Sequence, residues 1–315
     1  MNELYAVEPS IFKSSNELKY LLRYFGPFVG QYLAIYPKDW ISQVKKNFEY
    51  MMNRGEISEI ELTKIYVLLV QAEKRHSMIH CPELIERYGR TWLENVAELL
   101  RREPPVFSDI VAIEAPPPGK KSLDEFEPPI NASERFYSTV DGYKKICRVL
   151  ISISREFAII DPYINLLDTN SRSVLYGLLS IAAKTKHCER ILIWTSSKML
   201  EQNYDRVCGK YDVAKTKNYF QIELIKIAKQ VNLSKCQLEL NFVNSSGIKD
   251  KFHTRCILSI KGGIKIDQGF KVFNNGQQIN DADPIGEKSH SELFSIYFES
   301  KNDMSIDKNP IKFDV

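Results

Sequence analysis

Lys251-Phe-His-Thr-Arg-Cys-Ile-Leu-Ser-Ile-Lys-Gly-Gly-Ile-Lys-Ile-Asp-Gln-Gly-Phe270 reads as two short β-runs, Thr254–Ile260 and Ile264–Ile266, joined at Gly262-Gly263. A Gly-Gly pair supplies the positive φ that a tight hairpin turn demands. His253 and Arg255 then lie at the start of the first strand and Asp267 at the end of the second. Side chains two apart on a strand share a face, so the imidazole and the guanidinium are expected side by side. The first is suited to attack or proton transfer, the second to holding a phosphate. Lys251, Lys261 and Lys265 add charge along the same hairpin.

Working outward, Phe157-Ala-Ile-Ile-Asp161 is an apolar run that stops at Asp161-Pro-Tyr163. It reads as a buried strand whose end brings Asp161 and Tyr163 towards the same cleft, although Asp-Pro is also a common strand terminator. The period of the apolar residues predicts helices at Val140–Ser154, Ser171–Lys184 and Asn218–Val231, with strands at Arg190–Thr195, Gln237–Val243 and Leu293–Phe298. Alternating helices and strands followed by antiparallel strands predict an α/β sandwich with a mixed sheet.

The Asp161-Pro-Tyr163 strand end, the His253-x-Arg255 strand and the glycine-rich hairpin closing on Asp267-Gln-Gly together resemble the phospholipase D-like superfamily. They resemble most its one-motif branch, the C-terminal domain found beyond MIT domains. The resemblance covers Asp141–Glu299, about half of the chain. It implies a phosphate-recognising site without metal or cofactor, with His253 as nucleophile or general acid and Arg255 as the phosphate clamp. Active members of the superfamily carry His-x-Lys, then four residues and an Asp. Arg255 stands here in place of that Lys and Ile260 in place of that Asp. Such members also use two His motifs, and His290 is followed by Glu292, so a complete site would need a homodimer.

The first part of the chain reads as helical. Capping patterns open at Ser14, Asp39, Ser58 and Thr91, each followed by apolar residues at three- and four-residue spacing. Residues 1–103 are therefore expected to form an α-helical domain. Residues 104–134 hold seven of the 14 prolines and are expected to be a linker, with one short strand within Phe107–Ile113. Residues 135–315 would be the phospholipase D-like domain, giving a two-domain α+β chain. His76 and His80 stand at helical i, i+4 spacing, but no third ligand accompanies them, so no metal site is expected.

The net charge of +3 conceals an asymmetry. Between Lys144 and Lys271 there are 22 Lys and Arg against 11 Asp and Glu, an excess of +11, which leaves −8 for the remainder. A basic half points to phosphate, although a lysine-rich solvated surface accounts for the count equally well. Six scattered cysteines without Cys-x-x-Cys spacing argue against a disulfide framework. The longest apolar run, Ile60–Val70, is interrupted by charge and too short to span a bilayer, so no transmembrane segment and a cytoplasmic protein are expected.

Three functions follow. The first is a module that binds nucleic acid or another polyphosphate surface, a class that the resemblance also places in bacterial phage-defence proteins. The second is a metal-independent phosphodiesterase or nuclease assembled from two copies of His253 and Arg255. The third is a scaffold recruiting a protein partner through its helical domain.

Overall fold

The computed structural model describes residues 3–80, 89–101, 107, 109–112, 120–121, 133–185, 187–203, 212–244, 252–273, 277–299 and 310–315. The chain divides into two compact units, Asn2–Asn131 and Ala132–Val315. Both combine helices with a sheet, so the chain is of the α+β class.

The first unit corrects the all-helical expectation. Its elements are β1 (Glu3–Val7), α1 (Ser15–Leu22), β2 (Gln31–Ile35), α2 (Trp40–Asn53), α3 (Glu59–Lys74), β3 (Met78–His80), α4 (Trp92–Leu100), β4 (Asp109–Val111) and β5 (Lys120–Lys121). The strands pair in the order β3-β2-β1-β4-β5, each neighbouring pair parallel. Every residue of β2 is buried, as are Leu4 to Val7 of β1. A strand covered on both faces shows no alternation of apolar and polar residues, which is why its period is silent in the sequence.

The helix starts are where the capping residues predict them. The Ser14 and Ser58 hydroxyls accept from the Glu17 and Glu61 amides, and Thr91 forms a full capping box with Glu94. Trp40 Nε1 donates to the Val7 carbonyl at 2.6 Å, tying the first turn of α2 to the end of β1. His76 and His80 do not share a helix: His76 follows α3 with a φ of +55°, and His80 ends β3. Within residues 104–134, expected to be a linker, β4 and β5 belong to this sheet.

The second unit runs β6 (Glu134–Tyr137), α5 (Val140–Ser152), β7 (Glu156–Ile160), α6 (Thr169–Thr185), β8 (Arg190–Ser196), α7 (Lys198–Glu201), α8 (Val213–Gln230), β9 (Gln237–Val243), β10 (Cys256–Ser259), β11 (Gly262–Ile266), β12 (Ile279–Pro284), α9 (Glu287–Tyr297) and β13 (Ile311–Asp314). The sheet order is β13-β9-β8-β7-β10-β11-β12-β6, with β7, β8 and β9 parallel and the other pairs antiparallel. Phe157, Ile159, Ile191 and Ile193 point to one face, where α5, α6 and α8 close the larger core. Ala158, Ile160, Leu192 and Trp194 point to the other, against Tyr297 and the apolar side of α9.

Two local expectations fail here. Leu293–Phe298 is the end of a helix and not a strand. The helical spacing of His290, Phe294 and Tyr297 outweighs its aromatic, β-favouring composition: His290 and Tyr297 are buried and His290 stacks on Phe294. The hairpin turn is Ile260-Lys261 and not Gly262-Gly263, because Ser259 pairs with Gly262 and Leu258 with Gly263. A Cβ on Gly263 would sit 2.7 Å from Ile285 Cδ1, so this glycine serves close packing within β11.

Among the described residues, Cys147, Cys188, Cys236 and Cys256 are buried and unbridged. No helix there is long and apolar enough to cross a membrane.

Both edge strands of the second sheet, β6 and β13, lie outside Asp141–Glu299. A fragment spanning Ala132–Val315 is expected to fold alone, and one trimmed to Asp141–Glu299 to melt roughly 5 °C lower or more. Thermal melts of the two fragments check this, and equal melting temperatures would refute it.

Candidate functional site

The parallel strands β7, β8 and β9 end together at one edge of the second sheet. Strand β10 runs against β7 with Cys256 opposite Ile160, so the residues before β10 meet those after β7. This crossing brings Arg255 to Asp161 and Tyr163, from parts of the chain that are far apart in sequence. Loops at the carboxyl ends of parallel strands, where the sheet changes direction, are a favourable place for a ligand site.

Asp161 is at the centre and almost fully buried. Its Oδ1 accepts from the Tyr163 amide and its Oδ2 from the Phe270 amide, each at 2.8 Å. Arg255 Nε lies 4.0 Å from Oδ1. Burial pushes the Asp161 carboxyl above the usual carboxylate range, opposed by the two amide donors and the guanidinium.

Arg255 is fixed from three sides. Nη1 donates to the Asp267 carbonyl at 2.6 Å, Nε faces Asp161, and the guanidinium carbon sits 5.2 Å from the centre of the Tyr163 ring. The side chain nevertheless remains 30% exposed. An immobilised guanidinium that still reaches solvent has lost most of its rotamer freedom before any anion arrives, and it retains the fork of donors that suits phosphate.

The loop after β11 is held to this centre by groups that the sequence reading did not single out. Tyr143 Oη, on α5, donates to the Gly269 carbonyl at 2.6 Å, and Asn280 Nδ2 donates to Tyr143 Oη at 3.1 Å. Asn280 Oδ1 accepts from the Gln268 amide at 3.0 Å. Gly269 has a φ of +76°, and a Cβ there would lie 2.3 Å from Asp161 Oδ2. Only glycine meets both demands. The signal available in the sequence was the Asp267-Gln-Gly-Phe270 run; nothing marked Tyr143 or Asn280 beyond their polarity.

The expected site residues separate into three groups. His253, Arg255, Asp161 and Tyr163 come to this end of the sheet, with His253 and Tyr163 exposed. Asp267 contributes its carbonyl, while its side chain is exposed. Two lysines are displaced. Lys261 is in the turn beyond the far end of β10, about 20 Å of strand from Arg255 at ~3.3 Å per residue. Lys265 pairs opposite Cys256, and strand alternation gives it the face of Cys256, not that of Arg255. Lys251 lies outside the described residues. Lys271, 3.5 Å from Asp168 Oδ2, and Lys198, directly after β8, are cations that the fold brings to the carboxyl end instead.

His290 is a structural residue. It is buried, its Nε2 lies 2.7 Å from the Ser259 carbonyl oxygen, and burial pushes its pKa down. Among the described residues no group of three or more His, Cys, Asp or Glu is arranged to hold a metal.

No family model matches the chain, and no curated protein matches it. Among solved structures, the chain is similar to TrmBL2, an archaeal chromatin protein described as showing a novel mode of DNA binding. That match covers 86% of this chain and 70% of that one, at 8% identity and a TM-score of 0.26.

Gly269→Ala combines a left-handed backbone with a collision against Asp161, and is expected to destabilise the protein by about 2 kcal/mol or more. Chemical denaturation measures this. Asp161 also carries a pH signature. Its pKa is raised on folding, so the folded protein holds this proton more tightly and the contribution of Asp161 to stability falls as pH rises through the raised value. The stability of the wild type relative to Asp161→Asn should therefore decline from the ordinary carboxylate range upwards. A flat difference across that range would refute the assignment.

Proposed function

We propose that the second unit is a phosphate-recognising module of phospholipase D-like type, which binds nucleic acid or another polyphosphate surface through Arg255. The observation that carries this reading is the state of the guanidinium. It is oriented by the Asp267 carbonyl, the Asp161 carboxylate and the Tyr163 ring, and is still partly open to solvent. Exposed His253 lies two residues away, and the segment around them carries an excess of +11. The order of strands supports the reading as well, since it joins the Asp161-Pro-Tyr163 end and the His253-x-Arg255 strand as the resemblance implies.

Binding is favoured over turnover for a chemical reason. The superfamily position that holds lysine in active members holds arginine here, and an arginine keeps its proton at every physiological pH. It is suited to clamping a phosphate and not to giving up or taking a proton.

Fluorescence anisotropy of labelled DNA and RNA at several salt concentrations tests this. Arg255→Ala is expected to weaken binding by about tenfold and to lower the salt slope by about one phosphate contact. Because Arg255 also bonds the Asp267 carbonyl, Arg255→Ala should lose some stability too, so Arg255→Lys serves as the partner variant that retains charge. An unchanged affinity in folded Arg255→Ala would refute the proposal. A denaturing gel of the same samples, without added metal, reports cleavage, and cleavage lost in His253→Ala would replace the binding reading with the phosphodiesterase.

A further inference from the structure

We infer that Tyr163 is a stacking platform for an unpaired base, so that the ligand of the Arg255 site is single-stranded nucleic acid. This rests on the phosphate reading above. The ring is 53% exposed although it adjoins a nearly fully buried centre, and an aromatic left half in water at a charged site is a surface suited to a flat partner.

The backbone beneath the ring is fixed from both sides. The Tyr163 amide donates to Asp161 Oδ1 at 2.8 Å. Thr195 Oγ1, fully buried on β8, lies 2.9 Å from the Ile164 carbonyl and 3.3 Å from the Pro162 carbonyl, on which the Ser196 amide also converges at 3.2 Å. The residues on either side of Tyr163 are thus tied to the neighbouring strand, and the ring is presented by a turn with little freedom to withdraw. Binding to a ring so held loses little conformational entropy.

Arg255 supplies the second half of the argument. Its guanidinium carbon lies over the ring, 5.2 Å from the centre, and the ring is still 53% exposed, so a cation for phosphate and an aromatic surface open to a base meet at one place. Proteins that bind single strands combine these two elements, a cationic track for the backbone and aromatic rings on which bases stack. A base within a duplex is already stacked on its neighbours and has no face to offer. The arrangement therefore favours an unpaired strand over a duplex, and is tolerant of base identity because every base has a π-face.

The test uses the full chain and three labelled probes: a short oligothymidylate, an abasic strand of the same length, and a duplex. The wild type is expected to bind the oligothymidylate roughly tenfold more tightly than the abasic strand. Tyr163→Ala should abolish that preference, so that oligothymidylate and abasic strand bind equally, with a smaller loss for the abasic strand because the ring also orients Arg255, and Tyr163→Phe should keep the preference. An equal affinity of the wild type for base-bearing and abasic strands would overturn the platform and leave the phosphate reading standing. So would a loss in Tyr163→Ala that is the same for all three probes. No binding of any probe by the wild type would overturn both.

Discussion

A carboxylate with almost no access to water organises the second unit. Burying the charge of Asp161 is unfavourable by several kcal/mol unless it is neutralised or well bonded. Two backbone amides and a guanidinium surround it, and hydrogen bonds to a charged group are each worth about 1.5–3 kcal/mol. The consequences run outward from this requirement. The Tyr163 amide is drawn back, which forms the turn after β7. The Phe270 amide is drawn in, which folds the loop after β11 across the strand ends. Gly269 must be without a side chain for that approach to occur. Arg255 is the partner that bonds through its side chain, and that side chain also reaches solvent, so the same interaction that stabilises the loop orients the side chain that would meet a ligand.

The sheet explains why these pieces meet. Strand β10 is laid antiparallel on β7, and the beginning of one is therefore at the end of the other. Had the connection been another parallel crossover, His253 and Arg255 would have entered at the opposite edge from Asp161. The same geometry disperses the lysines. Charge that is adjacent in sequence becomes distant when a strand and its turn intervene, as Lys261 shows, or divided between two faces, as Lys265 shows. In exchange, the end of β8 brings Lys198 to the carboxyl end from a segment with no sequence proximity to the hairpin, and the loop after β11 brings Lys271 there.

How much was legible follows from which signals are local. Helix starts were legible in the first unit because a capping side chain is three residues from the amide it serves, as at Ser58 and Thr91. In the second unit the helix expected from Asn218 starts at Val213, and the one from Glu287, whose cap is Gly286, was not expected. Strands β7, β8 and β9 were legible as short apolar runs between helices. The sheet of the first unit was not, since β1 and β2 are brief, buried on both faces and set among strongly periodic helices. Strand β12 was not expected for the opposite reason: Asn280-Asp-Ala-Asp-Pro284 is short of apolar residues, and only its pairing with β11 and β6 makes it a strand. Arg255 and Asp161, which the fold brings together, were singled out in the sequence from residue type. Tyr143 and Asn280 were not, because their role lies in hydrogen bonds across more than 100 residues, or to a loop amide 12 residues away.

Two of the three differences from the pattern that the sequence resembles, Ile260 and Arg255, occupy unlike places in the fold. Ile260, at the position of the missing acidic residue, is 52% exposed in the β10–β11 turn. It is about 16 Å of strand from Arg255, at ~3.3 Å per residue. An aspartate there would touch neither Arg255 nor the Asp161 centre. Arg255 is different, since it is itself the group at the site. Its fork of donors is what permits one nitrogen to bond the Asp267 carbonyl and another to face Asp161 at the same time. A lysine, with its donors on one nitrogen at the end of a flexible stem, could not hold both positions and face the Tyr163 ring. In this chain the arginine is therefore integral to the architecture around Asp161, because only its fork of donors can bond the Asp267 carbonyl and face the carboxylate at once.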